Sequence, residues 1–186
     1  MFNPNTIAQS GRMLVSQPML VDTFFSRSVV MLAEHGEEGS FGFILNKPAN
    51  VKLSSVTKDF LPFDTDIFIG GPVNVNQLFY VHNQPQIRNS LFIKEGIYWG
   101  GDLEQIKSAL LMGELDLSDL RFYAGYSSWE SKQLDDELNR KSWVVIDGKK
   151  DFIFGENNED MWKKVVMQLG GKYAKWINYP VDPALN

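Results

Sequence analysis

Two short apolar runs joined by a charged, glycine-containing turn constrain this chain more than any other feature. The first run covers residues 28–34 (SVVMLAE), the second covers residues 40–46 (SFGFILN), and HGEEG lies between them. β-Branched and aromatic residues in runs of this length, bounded by a turn, predict an antiparallel hairpin. The first run is apolar without alternation, which is typical of a strand buried on both faces. Gly42 inside the second run predicts a bulge or a close backbone approach.

The hairpin places polar residues at its two ends. Because antiparallel strands run in opposite directions, Arg27 and Ser28 are expected at the same end as Asn46. His35 is at the turn, about 20–30 Å from them at roughly 3.3 Å per residue. Arg27 and His35 therefore cannot belong to one small site.

The remaining apolar runs predict a fold in which strands come early and helices come later. Strands are predicted at residues 12–16, 67–69, 78–82, 121–127 and 143–146, with a short hairpin within residues 91–99. Because many of these strands are joined by hairpin-length turns, the order predicts an α+β class with a mixed, mainly antiparallel sheet flanked by helices. No linker or repeat divides residues 1–186, so we expect a single domain.

Helix predictions rest on capping residues and apolar spacing. They are a single turn at residues 22–25, a brief helix within residues 51–56, a helix from Asp102 to Gly113, a helix opened by Ser127 with Glu130 in capping-box spacing, and a last helix capped by Asn158 and stopped by Gly170. The aromatic tail at residues 173–186 contains two prolines, and we expect it to be extended and packed on the surface.

Four motifs in a fixed order carry a family resemblance. They are RSVVMLAEHGEEGSFGFILNKP from Arg27, FIGGPV from Phe68, LFYVH from Leu78 and GYSSWESKQLDDELNRKSW from Gly125. Across nearly the whole chain this pattern resembles the YqgE/AlgH family of bacterial proteins. The resemblance implies a strongly bent, partly barrel-like sheet surrounded by helices. It implies no settled activity, although members are often described as transcriptional regulators. Ser128 and Lys132 replace glycines of the family pattern, at what we predict to be the start of a helix.

Composition excludes several classes of function. The chain has no cysteine, which excludes disulfides, thiolate metal sites and cysteine nucleophiles. Its net charge is −5, and it carries no helix-turn-helix pattern or basic stripe, so we do not expect direct binding to duplex DNA. No apolar run is long enough to span a membrane, and no secretory signal pattern begins the chain, so we expect a cytoplasmic location without membrane association.

A first candidate site combines the hairpin end with a glycine-rich turn. Arg27 has two interpretations, either a bidentate anion ligand or a structural ion pair with Asp22 or Glu34. The turn formed by Gly70, Gly71 and Pro72 has backbone N–H groups that could hold an anion, but tight turns of this composition more often position a strand. The candidate ligand-binding set is Arg27, Ser28, Asn46, Gly70, Gly71 and Pro72.

A second candidate polar site comprises His35, His82, Trp129 and Gln133. Each histidine follows an apolar strand and is either an acid–base or metal-binding group or a strand-end residue bonded to a backbone carbonyl. Residues 125–129 and Gln133 predict a strand-to-helix turn that could attract an anion, whereas the alternative makes Trp129 a core anchor. The chain lacks HExxH and GxSxG motifs, so no metal ligand, cofactor or catalytic residue is predicted.

Two functional hypotheses follow. The first is a regulatory or interaction protein that acts through a protein partner without direct DNA readout. The second is a small-molecule-binding protein or an enzyme of unknown reaction, with an anion site near Arg27. A third interpretation makes all of these motifs determinants of the fold.

Overall fold

The computed structural model describes Pro4 and residues 7–155 and 159–180. Its strands are β1 (Arg12–Ser16), β2 (Val29–Gly36), β3 (Gly39–Ile44), β4 (Pro48–Lys52), β5 (Asp66–Ile69), β6 (Val73–His82), β7 (Ser90–Lys94), β8 (Ile97–Gly100), β9 (Leu120–Glu130) and β10 (Trp143–Asp147). Its helices are α1 (Leu53–Val56), α2 (Leu103–Met112), α3 (Gln133–Asn139), α4 (Lys150–Phe154), α5 (Met161–Leu169) and α6 (Gly171–Ala174), with 3-10 turns at Leu117–Asp119 and Lys175–Asn178.

The strands form one mixed sheet in the order β10-β1-β2-β3-β9-β6-β8-β7. Strand β5 joins β9 as the parallel pair, and β4 extends the sheet from β5. The pairings along the main path are antiparallel. The pairs β2–β3 and β7–β8 are hairpins closed by short turns, whereas the others join strands that are distant in the chain. The predicted α+β class with a mainly antiparallel sheet is confirmed.

The sheet curls strongly, which brings its far end back to its beginning. Lys94 at the end of β7 donates a hydrogen bond from Nζ to the carbonyl of Gly148, just after β10, at 2.7 Å. A Cβ on Gly11, just before β1, would lie 2.8 Å from the Cβ of Lys94. These contacts agree with the strongly bent, partly barrel-like sheet that the family resemblance implies.

A bulge in β2 sets which face of the sheet each hairpin residue occupies. Leu32 pairs with Gly42 and Glu34 pairs with Phe41, so β2 carries one extra residue between these pairs. A bulge shifts the alternation of side chains by one position. It therefore places His35 on the face that carries Leu32. Gly42 lies against the other strand at this point, since an added Cβ would be 2.2 Å from the carbonyl oxygen of Met31.

Three glycines form the corner at which β9 passes from β3 to β5 and β6. Gly125 has φ +69°, a conformation that favours glycine. An added Cβ on Gly70 would lie 2.1 Å from the carbonyl oxygen of Gly125, and one on Gly71 would lie 2.3 Å from Tyr126. Two backbone segments can approach this closely only without side chains. The turn at Gly70 and Gly71 therefore positions strands, which is one of the two interpretations offered above; the other was anion binding.

Helices cover both faces of the sheet. One core contains the buried face of α5, with Trp162 and Val165 against Met13 and Met31. Another lies beneath α2, and a third lies beneath α3 and includes Leu14, Val30, Trp129 and Trp143.

Several predicted boundaries need correction. Strand β9 continues to Glu130, so Ser127 does not cap a helix; its hydroxyl donates instead to the carbonyl of Gly70 at 2.9 Å. Ser128 accordingly lies within a strand. Helix α3 begins only at Gln133, after Lys132, which has φ +64°. Strand pairing with β3 outweighs the local capping pattern.

Other differences concern short elements. Residues 48–52 form a strand because they pair with β5, and the predicted helix is confined to α1. The tail is helical rather than extended over α6 and the following 3-10 turn, since Trp176 stacks on Trp162 with ring centroids 6.4 Å apart. Helix α4 was not predicted. The predicted cap Asn158 lies outside the described residues.

Candidate functional site

The hairpin end brings Arg27, Ser28 and Asn46 together, as predicted. The side-chain oxygen of buried Asn46 accepts a hydrogen bond from the N–H of Val29 at 2.8 Å, and its amide nitrogen donates to the carbonyl of Arg27 at 2.9 Å. The N–H of Ser28 donates to the hydroxyl of Ser16 at 2.8 Å. These bonds join strand ends within the protein, so a ligand bound to the same residues stays a prediction.

Arg27 does not pair with Asp22 or Glu34 in the described part of the chain. Its guanidinium carbon lies 5.0 Å from the ring centroid of Trp162, and Nη2 donates to the carbonyl of Tyr179. Its backbone has φ +50°, in the left-handed region. Asp22 instead caps a turn, since its carboxylate accepts from the N–H groups of the two residues at 24 and 25. Arg27 therefore ties the start of the hairpin to the last helical segments.

The glycine-rich turn lies close to this end of the hairpin but its first residue is already bonded. The N–H of Gly70 donates to the carbonyl of Ala124 at 2.9 Å, and its carbonyl accepts from Ile44 at 2.9 Å. Pro72 is exposed. The Gly70 N–H is therefore not available to an anion.

The two histidines occupy different regions, so the second candidate site is not a single site. His35 pairs with Ser40 across the hairpin, and Ser40 pairs with Trp129 in β9. His82 pairs with Leu120, at the opposite end of β9. At about 3.3 Å per residue, the length of this strand separates them by roughly 30 Å.

His82 is a buried strand-end residue held by the backbone. Its Nε2 lies 3.0 Å from the carbonyl of Gly100, and its Nδ1 accepts from the N–H of Gln84 at 3.2 Å. Burial lowers the pKa of His82, and the hydrogen bond with the Gly100 carbonyl opposes this shift. The geometry fits a neutral ring, in agreement with the strand-end interpretation.

His35 lies at the surface of the sheet face covered by α3. Its Nδ1 is 2.8 Å from the hydroxyl of Ser40, a residue that is itself buried. The same face carries Trp129, because directly paired residues of neighbouring strands point to the same side. The bond to Ser40 fixes the orientation of the imidazole ring of His35.

A carboxylate network that sequence analysis missed lies beside His35. Glu137 accepts hydrogen bonds from the indole N–H of Trp143 at 2.6 Å, the indole N–H of Trp129 at 3.0 Å and the amide of Gln133 at 3.0 Å. Phe25 packs against both indoles, with ring centroids at 5.8 and 5.6 Å. The i, i+4 spacing of Gln133 and Glu137 in the sequence was a usable signal for their contact. Trp129 and Trp143 are core anchors.

A second missed cluster contains Arg121, which is only 8% exposed. Its guanidinium carbon lies 4.3 Å above the ring of Phe68, and Nη2 donates to the carbonyl of Gly155 at 2.7 Å. Burial raises the pKa of the neighbouring Tyr123 to about 12, with the charge of Arg121 opposing the shift. This cluster holds the end of α4 against β9.

A groove of about 750 Å³ lies along strand β10. Residues of α3 and the turn after it form one wall, and residues of α6 and the following 3-10 turn form the other. The lining residues that carry the argument below are His35, Leu138, Lys141, Trp143, Tyr173 and Trp176. The groove is therefore a mixed aromatic and polar site, and of the predicted site residues it contains His35.

The floor of this groove is a free strand edge. Strand β10 pairs with β1 in the described sheet and with no other strand of it. At the end of β1, the N–H of Ser16 donates to the carbonyl of Ser28, on the β2 side of the strand. The N–H of the next residue, Gln17, donates to the carbonyl of Ser142, on the β10 side. Because bonding direction alternates along an antiparallel strand, Val144 bonds to β1, whereas Trp143 and Val145 direct their backbone groups outward.

The groove carries more positive than negative side chains, against the net charge of the whole protein. Lys141 lies on the α3 side and exposed Lys172 on the α6 side, while Asp135 is the acidic residue of the lining. The ammonium group of Lys172 lies 5.1 Å from the ring centroid of Tyr173. In the described residues no cluster of three or more His, Asp or Glu side chains could hold a metal ion.

Comparisons with known proteins agree with this architecture. The model of the AlgH-like family matches residues 13–174. The chain belongs to the AlgH-like family. A UPF0301 protein of Cytophaga hutchinsonii is 42% identical over 178 residues, which cover 95% of this chain and 98% of that protein. A UPF0301 protein of Bacteroides fragilis is 38% identical, with coverage of 98% and 93%.

Two solved structures share the AlgH-like fold. The crystal structure of protein DIP2367 from Corynebacterium diphtheriae has a TM-score of 0.78 at 24% identity, and covers 92% of each chain. The solution structure of AlgH from Pseudomonas aeruginosa has a TM-score of 0.71 at 22% identity, with coverage of 95% and 97%. At these identities the likeness shows the fold alone. None of the described helices is long and apolar enough to cross a membrane.

Proposed function

We propose that this AlgH-like chain is an interaction protein whose binding surface is the groove along β10, and that any regulatory role is exerted through a protein partner. The observation that supports this proposal is the groove itself. It has a volume of about 750 Å³ and combines aromatic walls with polar groups at its rim. Aromatic side chains and desolvated pockets supply most of the binding energy at protein interfaces.

Direct DNA readout does not fit the charge distribution. The net charge is −5, and a duplex would have to be held by lysines and arginines that neutralise its phosphates. Lys141 and Lys172 lie on opposite walls of a concave groove, whereas a duplex requires a convex element or a broad basic face. We expect no salt-sensitive duplex binding at low micromolar concentration.

Peptide display selection on a groove-blocked variant tests this function. Asn139 is exposed and lines the groove, so Asn139→Trp fills it without removing a core residue. Asn76→Trp, at an exposed position of β6 outside the groove lining, is the matched control. We expect peptides selected on the wild-type protein to bind Asn76→Trp equally and to lose at least about tenfold affinity for Asn139→Trp. Peptides that bind all three proteins equally, or a selection without enrichment, would contradict the proposal.

A second candidate function is small-anion binding at Arg27. The supporting observation is that Arg27 Nε is buried without a hydrogen-bond partner among the described residues. Thermal melting of wild type and Arg27→Ala with phosphates, nucleotides and carboxylic acids tests it, because a ligand of the native state raises the midpoint. A rise in the wild type alone would favour this function. The absence of any rise, with a large fall of the variant's own midpoint, would make Arg27 structural.

A further inference from the structure

We infer that the groove binds an extended, acidic segment of a partner protein as an added strand on the free edge of β10. The inference rests on the proposed function and specifies the partner's chemistry. Within the described residues, the outward backbone groups of Trp143 and Val145 have no strand beside them, and these residues line the groove floor. An unpaired edge of apolar residues is a template for another extended chain.

The register of β10 fixes the length of the docked segment. Arg12 pairs with Asp147 and Leu14 with Val145, so the residues at 143, 145 and 147 all direct N–H and C=O groups away from β1. These three positions span the whole of β10, from Trp143 to Asp147. An extended partner of about five residues, roughly 17 Å long, covers them.

The walls of the groove favour a peptide over a second copy of this chain. Residues of α3 and α6 flank the edge on opposite faces of the sheet and enclose a volume beyond it. In an edge-to-edge dimer, the walls of both copies would meet before their β10 strands came within the roughly 4.8 Å needed for pairing. A slender extended segment reaches the edge without this clash.

The walls also define the side chains of the segment. Successive residues of an added strand point alternately to the α3 wall, with Leu138 and Trp143, and to the α6 wall, with Tyr173 and Trp176. Apolar or β-branched residues fit both walls. On the α3 side the charge of Lys141 is offset by Asp135, whereas Lys172 is the charged residue of the lining on the α6 side. An acidic residue that faces the α6 wall is therefore favoured over a basic one.

A designed peptide tests the inference with the full-length protein. The probe is an acetylated and amidated peptide of seven residues, in which valine alternates with threonine and the central residue is glutamate. Its control carries lysine at the centre. We expect the glutamate peptide to bind about fivefold more tightly, and Lys172→Glu, but not Lys163→Glu on the exposed side of α5, to abolish this preference.

Backbone pairing gives a separate readout. On binding, the amides of Trp143 and Val145 should gain protection from hydrogen exchange, while that of Val144, already bonded to β1, should not change. N-methylation of alternate peptide residues should weaken binding at least about fivefold, and N-methylation of the intervening residues should not.

The outcomes separate this inference from the proposed function. Peptide binding that Asn139→Trp blocks, but that shows no alternation on N-methylation and no protection of Val145, would overturn strand addition and leave the interaction function in place. Protection of Val145 without peptide would also overturn it. In a dimer this protection would assign the edge to a second copy, and in a monomer to another segment of this chain. A failure of the protein to bind either peptide would likewise overturn strand addition. The peptide display selection would then be the remaining test of the proposed function.

Discussion

Asn46 shows how a single side chain can hold the end of the hairpin. Its side-chain oxygen accepts from the N–H of Val29, and its side-chain nitrogen donates to the carbonyl of Arg27 on the neighbouring strand end. Asn46 is only 5% exposed. Asn46→Ala leaves both backbone groups buried without partners. We expect the free energy of unfolding, measured in urea, to fall by about 2–4 kcal/mol. Asn76→Ala, at an exposed position, should change the free energy of unfolding by less than about 0.5 kcal/mol. Equal losses of stability in the two variants would show that Asn46 does not hold the hairpin end.

Lys132 has a backbone conformation that suits glycine. Its φ of +64° lies in the left-handed region, which explains why the family pattern has glycine at this position. Lys132→Gly should raise the free energy of unfolding by about 0.5–1 kcal/mol, because the removed strain exceeds the entropy that glycine adds to the unfolded chain. Ser131→Gly has no positive φ to relieve and should not stabilise the protein. A destabilised Lys132→Gly variant would count against the described turn.

The burial of His82 predicts a pH dependence of stability. Because its folded pKa is lowered, the unfolded state binds more protons as the pH falls through the unfolded value of about 6.5. The stability contributed by the neutral ring is therefore present above that pH and is lost below it. Urea unfolding between pH 7.5 and 5.5 should show a smaller loss for His82→Gln than for wild type. Parallel profiles would show that His82 does not contribute.

Antiparallel pairing was enough to predict which polar residues meet at the hairpin end. The proximity of Arg27, Ser28 and Asn46 follows from the turn at residues 37–38 and needs no distant contact. The network around Glu137 could not be derived in this way. It joins Trp129 of β9, Trp143 of β10 and Gln133 of α3, and these elements become neighbours only in the curled sheet.

At the scale of elements, the β2 bulge is the feature that local pattern indicated but could not locate. Gly42 signalled a bulge or a close approach, and the structure shows both, with the extra residue on the opposite strand. The shift in alternation turns His35 towards the groove. Sequence pattern could not place it there, because a bulge leaves the composition of a strand unchanged.

The close approach at Gly42 gives a prediction with an internal control. An alanine Cβ at this position would lie 2.2 Å from the Met31 carbonyl oxygen, so one of the two strands must move. We expect Gly42→Ala to lower the free energy of unfolding by about 2–4 kcal/mol. Gly36→Ala, which meets no atom within 4 Å, should change it by less than about 0.5 kcal/mol. Similar losses in the two variants would argue against the described register.

For the whole molecule, the sequence indicated the class of fold and the family resemblance indicated its curvature. Alternation and turn lengths predict an antiparallel sheet, but curvature arises from contacts between distant segments, such as Lys94 with Gly148. The groove depends on the same long-range arrangement, because its walls come from residues near 139 and 173. No local sequence pattern indicates a pocket between elements so far apart in the chain.

The position of β9 has a consequence for how the protein is made. This strand joins β3, β5 and β6, yet it begins at Leu120, after roughly two-thirds of the chain has been synthesised. Until β9 leaves the ribosome, the edges of β3, β5 and β6 that pair with it stay unpaired. The edge of β1 that pairs with β10 is unpaired for longer still. At a synthesis rate of about 5–20 residues per second, these strand edges are exposed for several seconds. During this interval we expect ribosome-associated chaperones to bind them.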